Sequence, residues 1–289
     1  RDQTKAGDRF RLCVSNPALA AYVADLIIKR VNEAPRTVSC SLSPNDGGTS
    51  SFCMCDACKK LDPPDAPKIS LMIFAKVGES ARKAIEYPAL TDRYVHYWNA
   101  VAERVAKVHP NLLLVIDAYS VYSTPPVREK LHPNLVVRYV PTDPTDWEGW
   151  KAAGAKKMFW RPNNLHSGYR EAAINLDASA RAVADTMNLL HKGGIIGTDM
   201  QGIYDNWATQ GLAYYVAART DWNPTLTFDE ILNDFCRSGF GPASEPIRQY
   251  FLKIDALGRP YDKYTAQAVA DLKAQLDAAD KAAGQDETV

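Results

Sequence analysis

Short runs of apolar and β-branched residues alternate along the chain with longer stretches in which apolar residues recur every third or fourth position. The short runs predict buried strands, and the longer stretches predict amphipathic helices. Because crossover helices join the strands of a parallel sheet, this alternation predicts an α/β fold. The predicted strands are Arg9 to Val14, Thr37 to Ser43, Leu112 to Ala118, Leu135 to Val140, Lys157 to Trp160 and Gly194 to Thr198.

Helix start and stop signals lie between several of these strands. Ser15-Asn16-Pro17 is a cap followed by a proline, which predicts a helix over 18–32. Gly193 and Gly194 end a predicted helix that begins near Ala172. The other predicted helices cover 91–108, 208–220, 228–238, 243–257 and 263–283.

The number of predicted strands bears on the architecture. A closed β/α-barrel has eight strands, so the chain falls short of one unless further strands precede Arg1; an open sheet is the alternative. Because the sequence begins at an arginine and not at a methionine, we favour a (β/α)8 TIM-barrel-like fold whose first strands lie upstream. We expect residues 1–258 to form the barrel and residues 259–289 to form a C-terminal helical extension.

Composition and charge narrow the range of partners. The 289 residues suffice for one large domain, and 34 basic against 34 acidic residues leave no net charge to attract nucleic acid. No apolar run approaches the roughly 18 residues of a membrane span. We expect no cofactor, and the pattern favours no particular oligomeric state. Six Trp and fourteen Tyr suit the stacking of sugar rings, although aromatic residues filling a large core explain the same composition.

Three of the six cysteines form the cluster Cys53-Met-Cys55-Asp-Ala-Cys58. This spacing is compatible with zinc, but a structural zinc site needs four ligands, so Cys13 or a histidine would have to supply the last one. We favour a disulfide pair or buried thiols over a metal at Cys53, Cys55 and Cys58.

Polar residues that follow the predicted strands are the candidates for chemistry, because the active site of a β/α-barrel lies at the carboxyl ends of its strands. Hydrolysis of a glycosidic bond needs a carboxylic acid that protonates the leaving oxygen and a second group that stabilises the sugar. Aspartates are present at these positions, but glutamates are not. Taken singly, each aspartate is more often a turn residue or a helix cap, as Asp205 before the predicted helix over 208–220 illustrates. The strand-end residues are Asn45, Asp46, Asp117, Tyr119, Tyr122, Arg138, Asp143, Trp160, Arg161, Asn163, His166, Asp199, Gln201, Asp205 and Trp207.

Several motifs occur in an order that resembles a known family. The chain is similar to bacterial domain-of-unknown-function family 4838, which overlaps glycoside hydrolase family 163, and the similarity covers most of its length. The motifs that carry the resemblance are 41–48 (SLSPNDGG), 52–58 (FCMCDAC), 91–103, 118–126 (AYSVYSTPP), 132–141 (HPNLVVRYVP), 205–219 with 222–224, and 235–251 around Gly239-Phe-Gly-Pro242.

The resemblance implies a fold, an activity and a location. Members of the family resemble β/α-barrel hydrolases, and the characterised ones are endo-acting β-N-acetylglucosaminidases that cleave the chitobiose core of complex N-glycans. Secretion, a periplasmic location or display at the bacterial surface is the corresponding expectation. In related hydrolases the substrate's own N-acetyl group attacks the anomeric carbon while a carboxylate orients it and a neighbouring acid protonates the leaving group. Asn45-Asp46 stands here where those enzymes have paired acids.

The resemblance and the strand-end positions together assign roles to individual residues. We predict that Asp46 is the general acid/base, that Asn45 orients a substituent and that Asp199 supports the reacting centre. For Asp46 to donate a proton near neutral pH, burial or a nearby carboxylate must raise its pKa. Further substrate-binding candidates are the stacking residues Tyr119, Tyr122, Trp160 and Trp207, the basic residues Arg138 and Arg161, and Asp205.

Two alternative functions remain at this point. The basic strand-end residues suit a hydrolase of an acidic or sulfated polysaccharide, although pairing of Arg138 and Arg161 with strand-end aspartates explains them equally well. The absence of strand-end glutamates suits a non-catalytic carbohydrate-binding barrel that has lost its catalytic acids but retains the aromatic residues that stack on sugars.

Overall fold

A computed structural model gives the structure of residues 11–45, 52–73, 83–162, 180–199, 207–257 and 265–284. The chain divides into two compact units, Arg1–Pro141 with Thr145–Arg161 and Thr142–Pro144 with Pro162–Val289. The predicted boundary between residues 258 and 259 stays a prediction.

The described residues form strands and α-helices whose bounds are as follows. The strands are β1 (Ser39–Ser41), β2 (Lys68–Ile73), β3 (Lys83–Pro88), β4 (Leu113–Ala118), β5 (Leu135–Tyr139) and β6 (Met158–Trp160). The helices are α1 (Pro17–Glu33), α2 (Asp56–Lys59), α3 (Thr91–Ala106), α4 (Trp147–Ala152), α5 (Ala180–Lys192), α6 (Trp207–Trp222), α7 (Phe228–Phe240), α8 (Ser244–Leu257) and α9 (Ala266–Ala283).

A four-stranded parallel sheet organises the first unit, with strand order β1-β4-β5-β6. Ile116, Asp117 and Ala118 of β4 and Val136 and Val137 of β5 are all buried, although neighbours in a strand point to opposite faces. Both faces of the central strands are therefore covered, which explains why these strands read as continuous apolar runs. The mixed α/β class predicted from the sequence is confirmed in this sheet.

Helix α3 is the main packing element of the first unit. Its apolar face, which includes Trp98, Val101 and Val105, is buried, and the helix packs against α1. The indole N–H of Trp98 donates to the carbonyl of Leu42, 3.2 Å away, and so fixes the residue that follows β1. This contact positions the carboxyl end of β1 relative to the core.

Asp92 in the first turn of α3 holds part of the loop between β4 and β5. Its buried carboxylate accepts hydrogen bonds from the backbone N–H groups of Val127, Arg128 and Glu129 at 2.8 to 2.9 Å. Three donors that would otherwise lack partners are thus satisfied, and the loop between β4 and β5 is attached to α3.

The second unit is helical in its described part, with α5 packing on α6, α7 on α8 and α8 on α9. A capping box begins α7: the Thr227 hydroxyl accepts from the N–H of Glu230, and the Glu230 carboxylate accepts from the N–H of Thr227. Buried Phe228, Ile231 and Leu232 place the apolar face of α7 in the interior.

Most of the predicted elements agree with the structure. Strands predicted at 37–43, 112–118, 135–140 and 157–160 are β1, β4, β5 and β6, and the predicted helices are present in their described parts. Residues 11–14 are not a strand, because the chain already turns there, with the N–H of Asn16 donating to the carbonyl of Cys13. The hairpin of β2 and β3 was not predicted; it is antiparallel and belongs to a separate sheet.

A further difference is the strand predicted at 194–198. The N–H of Ile195 bonds back to the carbonyl of Leu190, so the chain is still completing the end of α5, and Gly194 has a left-handed φ of 80°. Thr198 forms only an isolated bridge. No helix in the described part of the chain is long and apolar enough to cross a membrane.

Candidate functional site

The carboxyl ends of β1, β4 and β5 bring a charged pair together. Asp117 near the end of β4 lies beside Arg138 of β5 in the parallel register. The Arg138 guanidinium donates from Nε to Asp117 Oδ1 at 2.6 Å and from Nη2 to Asp117 Oδ2 at 3.0 Å. Asp117 is only 7% exposed, so this two-pronged pair is largely shielded from solvent.

The segment after β1 is linked to the same pair. Arg138 Nη2 also donates to Ser43 Oγ at 3.0 Å, and Ser41 Oγ donates to Ser43 Oγ at 2.8 Å. Arg138 therefore bridges the ends of β4 and β1 from β5. Asn45, two residues beyond Ser43, is exposed at the same end of the sheet.

Tyr119 and Tyr122 follow β4 in a turn with unusual backbone geometry. Ser120 has φ of 53°, in the left-handed region that a residue with a side chain adopts at a cost of about 1 kcal/mol or more. The turn exposes 40% of Tyr119 and buries Tyr122, which is 2% exposed. Strained backbone at a strand end is typical of positions where a side chain has to be held in a defined orientation.

Two of the four predicted stacking residues are core residues instead. Tyr122 packs against Tyr94 at a ring distance of 4.8 Å and against Trp98 in a T-shaped contact, and burial raises its pKa to about 12. Trp160 is 1% exposed, and its indole N–H donates to the carbonyl of Pro141. Neither ring has a face open to a sugar, because both are enclosed by the core of the first unit. The stacking role predicted for Tyr122 and Trp160 is therefore wrong. Tyr119 keeps an accessible ring.

The other predicted site residues are distributed as follows. Arg161 is partly exposed, and its backbone N–H donates to the carbonyl of Tyr139. Asp199 is exposed and belongs to the second unit, so its proposed place near the end of the sheet stays a prediction. The residues Asp46, Asn163, His166, Gln201 and Asp205 and the side chain of Trp207 lie outside what the structure describes.

A second group of candidate side chains lies in the first unit and consists of Cys13, Cys53, Cys55 and Cys58, here called the cysteine cluster. The four sulfur atoms lie within 4.8 Å of one another. Cys13 Sγ is 3.7 Å from Cys58 Sγ and 3.8 Å from Cys55 Sγ. Cys58 is buried, Cys55 is exposed and the other two are intermediate. Such a set of sulfur atoms can ligate a soft metal ion or form disulfides.

The thiols of the cysteine cluster differ in acidity. The backbone N–H of Cys58, followed by the Cys53 side chain, lowers the pKa of Cys55 to about 6. Burial raises the pKa of Cys53 to about 12 and raises that of Cys58. Cys55 is therefore a stronger acid than Cys53 and Cys58.

Sequence reasoning underrated two contributors. Ser43 lies at the predicted strand end and has the residue type of a hydrogen-bonding partner, but no local pattern connects it to an arginine 95 residues later. Cys13 is separated from the other cluster residues by about forty positions, and no spacing rule for paired ligands covers such a gap.

Comparison with known proteins places the chain in one family. Residues 1–253 match the family described as "Domain of unknown function (DUF4838)". No curated protein and no solved structure gives a significant match.

Proposed function

The chain belongs to the DUF4838 family, and on that premise we propose that it is a glycoside hydrolase that cleaves a β-linked glycan containing N-acetylhexosamine. The reaction class comes from the similarity of the motifs to glycoside hydrolase family 163. The proposed substrate is a complex N-glycan, and the proposed location is outside the bacterial cytoplasm or at the cell surface.

The observation that carries the proposal is the polar platform of Ser43, Asp117 and Arg138 at the carboxyl end of the parallel sheet. In open and closed α/β folds, ligands bind at this end of the strands. The ion pair, whose carboxylate is buried, links three strand ends, and the exposed residues Tyr119 and Asn45 lie within two positions of Asp117 and Ser43 along the chain. A fixed polar group at the same strand ends as an exposed tyrosine supports the binding of a sugar.

The proposed fold extends the described sheet. We propose that its four parallel strands are part of a β/α-barrel, as the family resemblance implies. Because β1, β4, β5 and β6 run in the same direction, their carboxyl ends form one edge, as the corresponding strands of a barrel do.

In the proposed reaction, the carboxyl group of Asp46 donates its proton to the glycosidic oxygen as the bond to the anomeric carbon breaks. The acetamido carbonyl oxygen of the substrate forms a bond to that carbon, and Asn45 orients the acetamido group. Water then opens the cyclic intermediate while the Asp46 carboxylate accepts the proton from the water. The supporting role of Asp199, a residue of the second unit, stays a prediction.

The experiment that tests the proposal measures glycan release. The protein is incubated with a panel of N-glycoproteins and acidic polysaccharides beside the variants Asp46→Asn and Asp65→Asn. Asp65 is an exposed carboxylate in the loop before β2, so its substitution controls for the loss of one loop charge. We expect N-glycan release by the wild type and by Asp65→Asn, and a loss of at least about a hundredfold in Asp46→Asn.

Each alternative has its own outcome. Release from acidic polysaccharide alone would replace the proposed substrate class. Binding of glycans without any release would replace the enzyme with a carbohydrate-binding barrel. Unchanged release by Asp46→Asn would remove Asp46 from the mechanism.

A further inference from the structure

The cysteine cluster joins two segments that are far apart in the sequence. Cys13 lies in the turn before α1, whereas Cys53, Cys55 and Cys58 lie between β1 and β2. These thiols take no part in the proposed hydrolysis. Their arrangement needs a separate explanation, because folding has to bring them together at a cost in chain entropy.

The sulfur-sulfur distances match those of a metal tetrahedron. In a zinc site with four thiolates, Zn–S bonds of about 2.3 Å at tetrahedral angles place the sulfur atoms about 3.8 Å apart. Cys13 Sγ lies 3.7 Å and 3.8 Å from two of its neighbours, and all four sulfur atoms lie within 4.8 Å of one another. The sulfur atoms therefore already outline the coordination shell of such an ion.

Hydrogen bonds around the cluster hold the ligands in this arrangement. The backbone N–H of Cys58 donates to Cys55 Sγ at 3.5 Å, and Ser15 Oγ lies 3.2 Å from Cys58 Sγ and 3.3 Å from Cys13 Sγ. A backbone N–H donor such as that of Cys58 stabilises the negative charge on metal-bound sulfur and fixes the orientation of the ligand.

A buried arginine secures the backbone that carries the ligands. Arg93 of α3 donates from Nη1 to the carbonyl of Cys53 at 2.8 Å and forms a two-pronged pair with Asp62. The guanidinium of Arg11 also lies 4.5 Å from the centre of the Phe52 ring, so the Cys13 segment contacts the second segment next to Cys53. The cluster is thus attached to the core at two points besides its own sulfur atoms.

We propose that Cys13, Cys53, Cys55 and Cys58 bind a structural Zn²⁺ ion. Four sulfur ligands favour zinc or iron over hard cations, and a site filled by four protein ligands leaves no position for substrate. The ion fastens the start of α1 to the segment before β2 and so stabilises the first unit.

A disulfide explains the geometry less well. An S–S bond of about 2.0 Å would draw two sulfur atoms together and away from the other two. The observed separations are instead nearly equal for the two partners of Cys13, and the shared Ser15 hydroxyl contacts both Cys13 and Cys58.

The test begins with the intact protein, purified without a metal-affinity step. We expect equimolar zinc by elemental analysis. After denaturation with a chelator and alkylation without reductant, we expect the intact mass to show that all six cysteines were free thiols. Replacement of the metal with Co²⁺ should give the strong visible absorption of a tetrahedral thiolate complex.

Variants assign the ion to the cluster. Cys13→Ser should lose at least about tenfold in zinc affinity, because one of four ligands is removed. Cys40→Ser is the matched control, since Cys40 lies in β1 outside the cluster, and it should retain equimolar zinc. If Cys13→Ser fails to fold, the metal content and thiol count of the wild type still decide the question.

Three results would overturn the proposal. They are a wild-type protein without bound metal, a mass that shows one or more disulfides among the cluster residues, and equimolar iron in place of zinc. Glycan release is independent of all three, so failure of the metal site and failure of the proposed hydrolase activity are distinguishable.

Discussion

At the scale of single residues, the ion pair of Asp117 and Arg138 joins the carboxyl ends of β4 and β5. Removal of one partner from a buried pair leaves an uncompensated charge, whereas removal of both leaves only a change in packing. Arg138 also donates to Ser43, so it connects the carboxylate to the segment that leads to the proposed catalytic residues.

We predict that Arg138→Met lowers the free energy of unfolding by about 3 kcal/mol, because the Asp117 carboxylate loses its partner within the sheet. Urea unfolding followed by circular dichroism measures the change. Arg36→Met is the matched control: Arg36 is exposed, and its substitution should change stability by less than about 0.5 kcal/mol.

The double variant Asp117→Leu/Arg138→Met separates the charge effect from packing. It should be more stable than Arg138→Met alone, since no buried carboxylate is left unpaired. A double variant that loses as much as the sum of the two single variants would show that the pair does not act as a unit.

At the scale of elements, the start of α7 combines a structural cap with a titratable group. The N–H and hydroxyl groups of Thr227 both donate to Glu230 Oε2 at 2.8 Å. These donors, the backbone N–H first, lower the pKa of Glu230 below its ordinary value. The carboxylate form is therefore favoured in the folded state.

We predict that Thr227→Ala lowers stability by about 1 kcal/mol at neutral pH, because α7 loses its N-cap. Thermal unfolding measures the loss. Thr225→Ala, which changes an exposed threonine two residues before the cap, should have a smaller effect.

The pH dependence of this cap has a defined sign. Because the folded-state pKa of Glu230 is depressed, its contribution is fully present above the ordinary pKa of 4.5 and is lost as the pH falls through the folded-state value. We predict that Glu230→Gln destabilises the protein at neutral pH and that the difference from the wild type shrinks below pH 4.5. A difference that stays constant with pH would rule out the carboxylate as its source.

At the scale of the whole molecule, the two compact units contain different stabilising features. The first unit has the parallel sheet and the cysteine cluster, whereas the described part of the second is helical. Loss of a bound metal should therefore destabilise the first unit before the second, because all the proposed ligands of the metal belong to the first unit.

We predict that treatment with a chelator accelerates amide hydrogen exchange in residues 11–33 and 52–62 and leaves exchange in α7 and α8 unchanged. Mass spectrometry of proteolytic peptides measures both regions in one experiment. Cys40→Ser should respond to the chelator as the wild type does. Equal acceleration in α7 and α8 would mean that the two units lose stability together.

Local pattern was enough to locate most of the secondary structure. The apolar runs of β4 and β5 and the caps of α1 and α7 lie within a few residues of the elements they specify, so they can be read without tertiary information. Pattern failed at residues 11–14 and 194–198, where apolar residues belong to turns whose backbone groups bond locally and not to a sheet.

The sequence by itself therefore determined the α/β class, the positions of the main helices and strands, and the family, because local periodicity and ordered motifs carry that information. Only the tertiary structure decided that Arg138 binds Asp117 and Ser43, that Tyr122 and Trp160 point into the core, and that Cys13 completes a group of four thiols. These contacts join residues tens of positions apart, and their geometry depends on how α3, the strands and the loops pack together. No spacing along the chain specifies the geometry of these contacts.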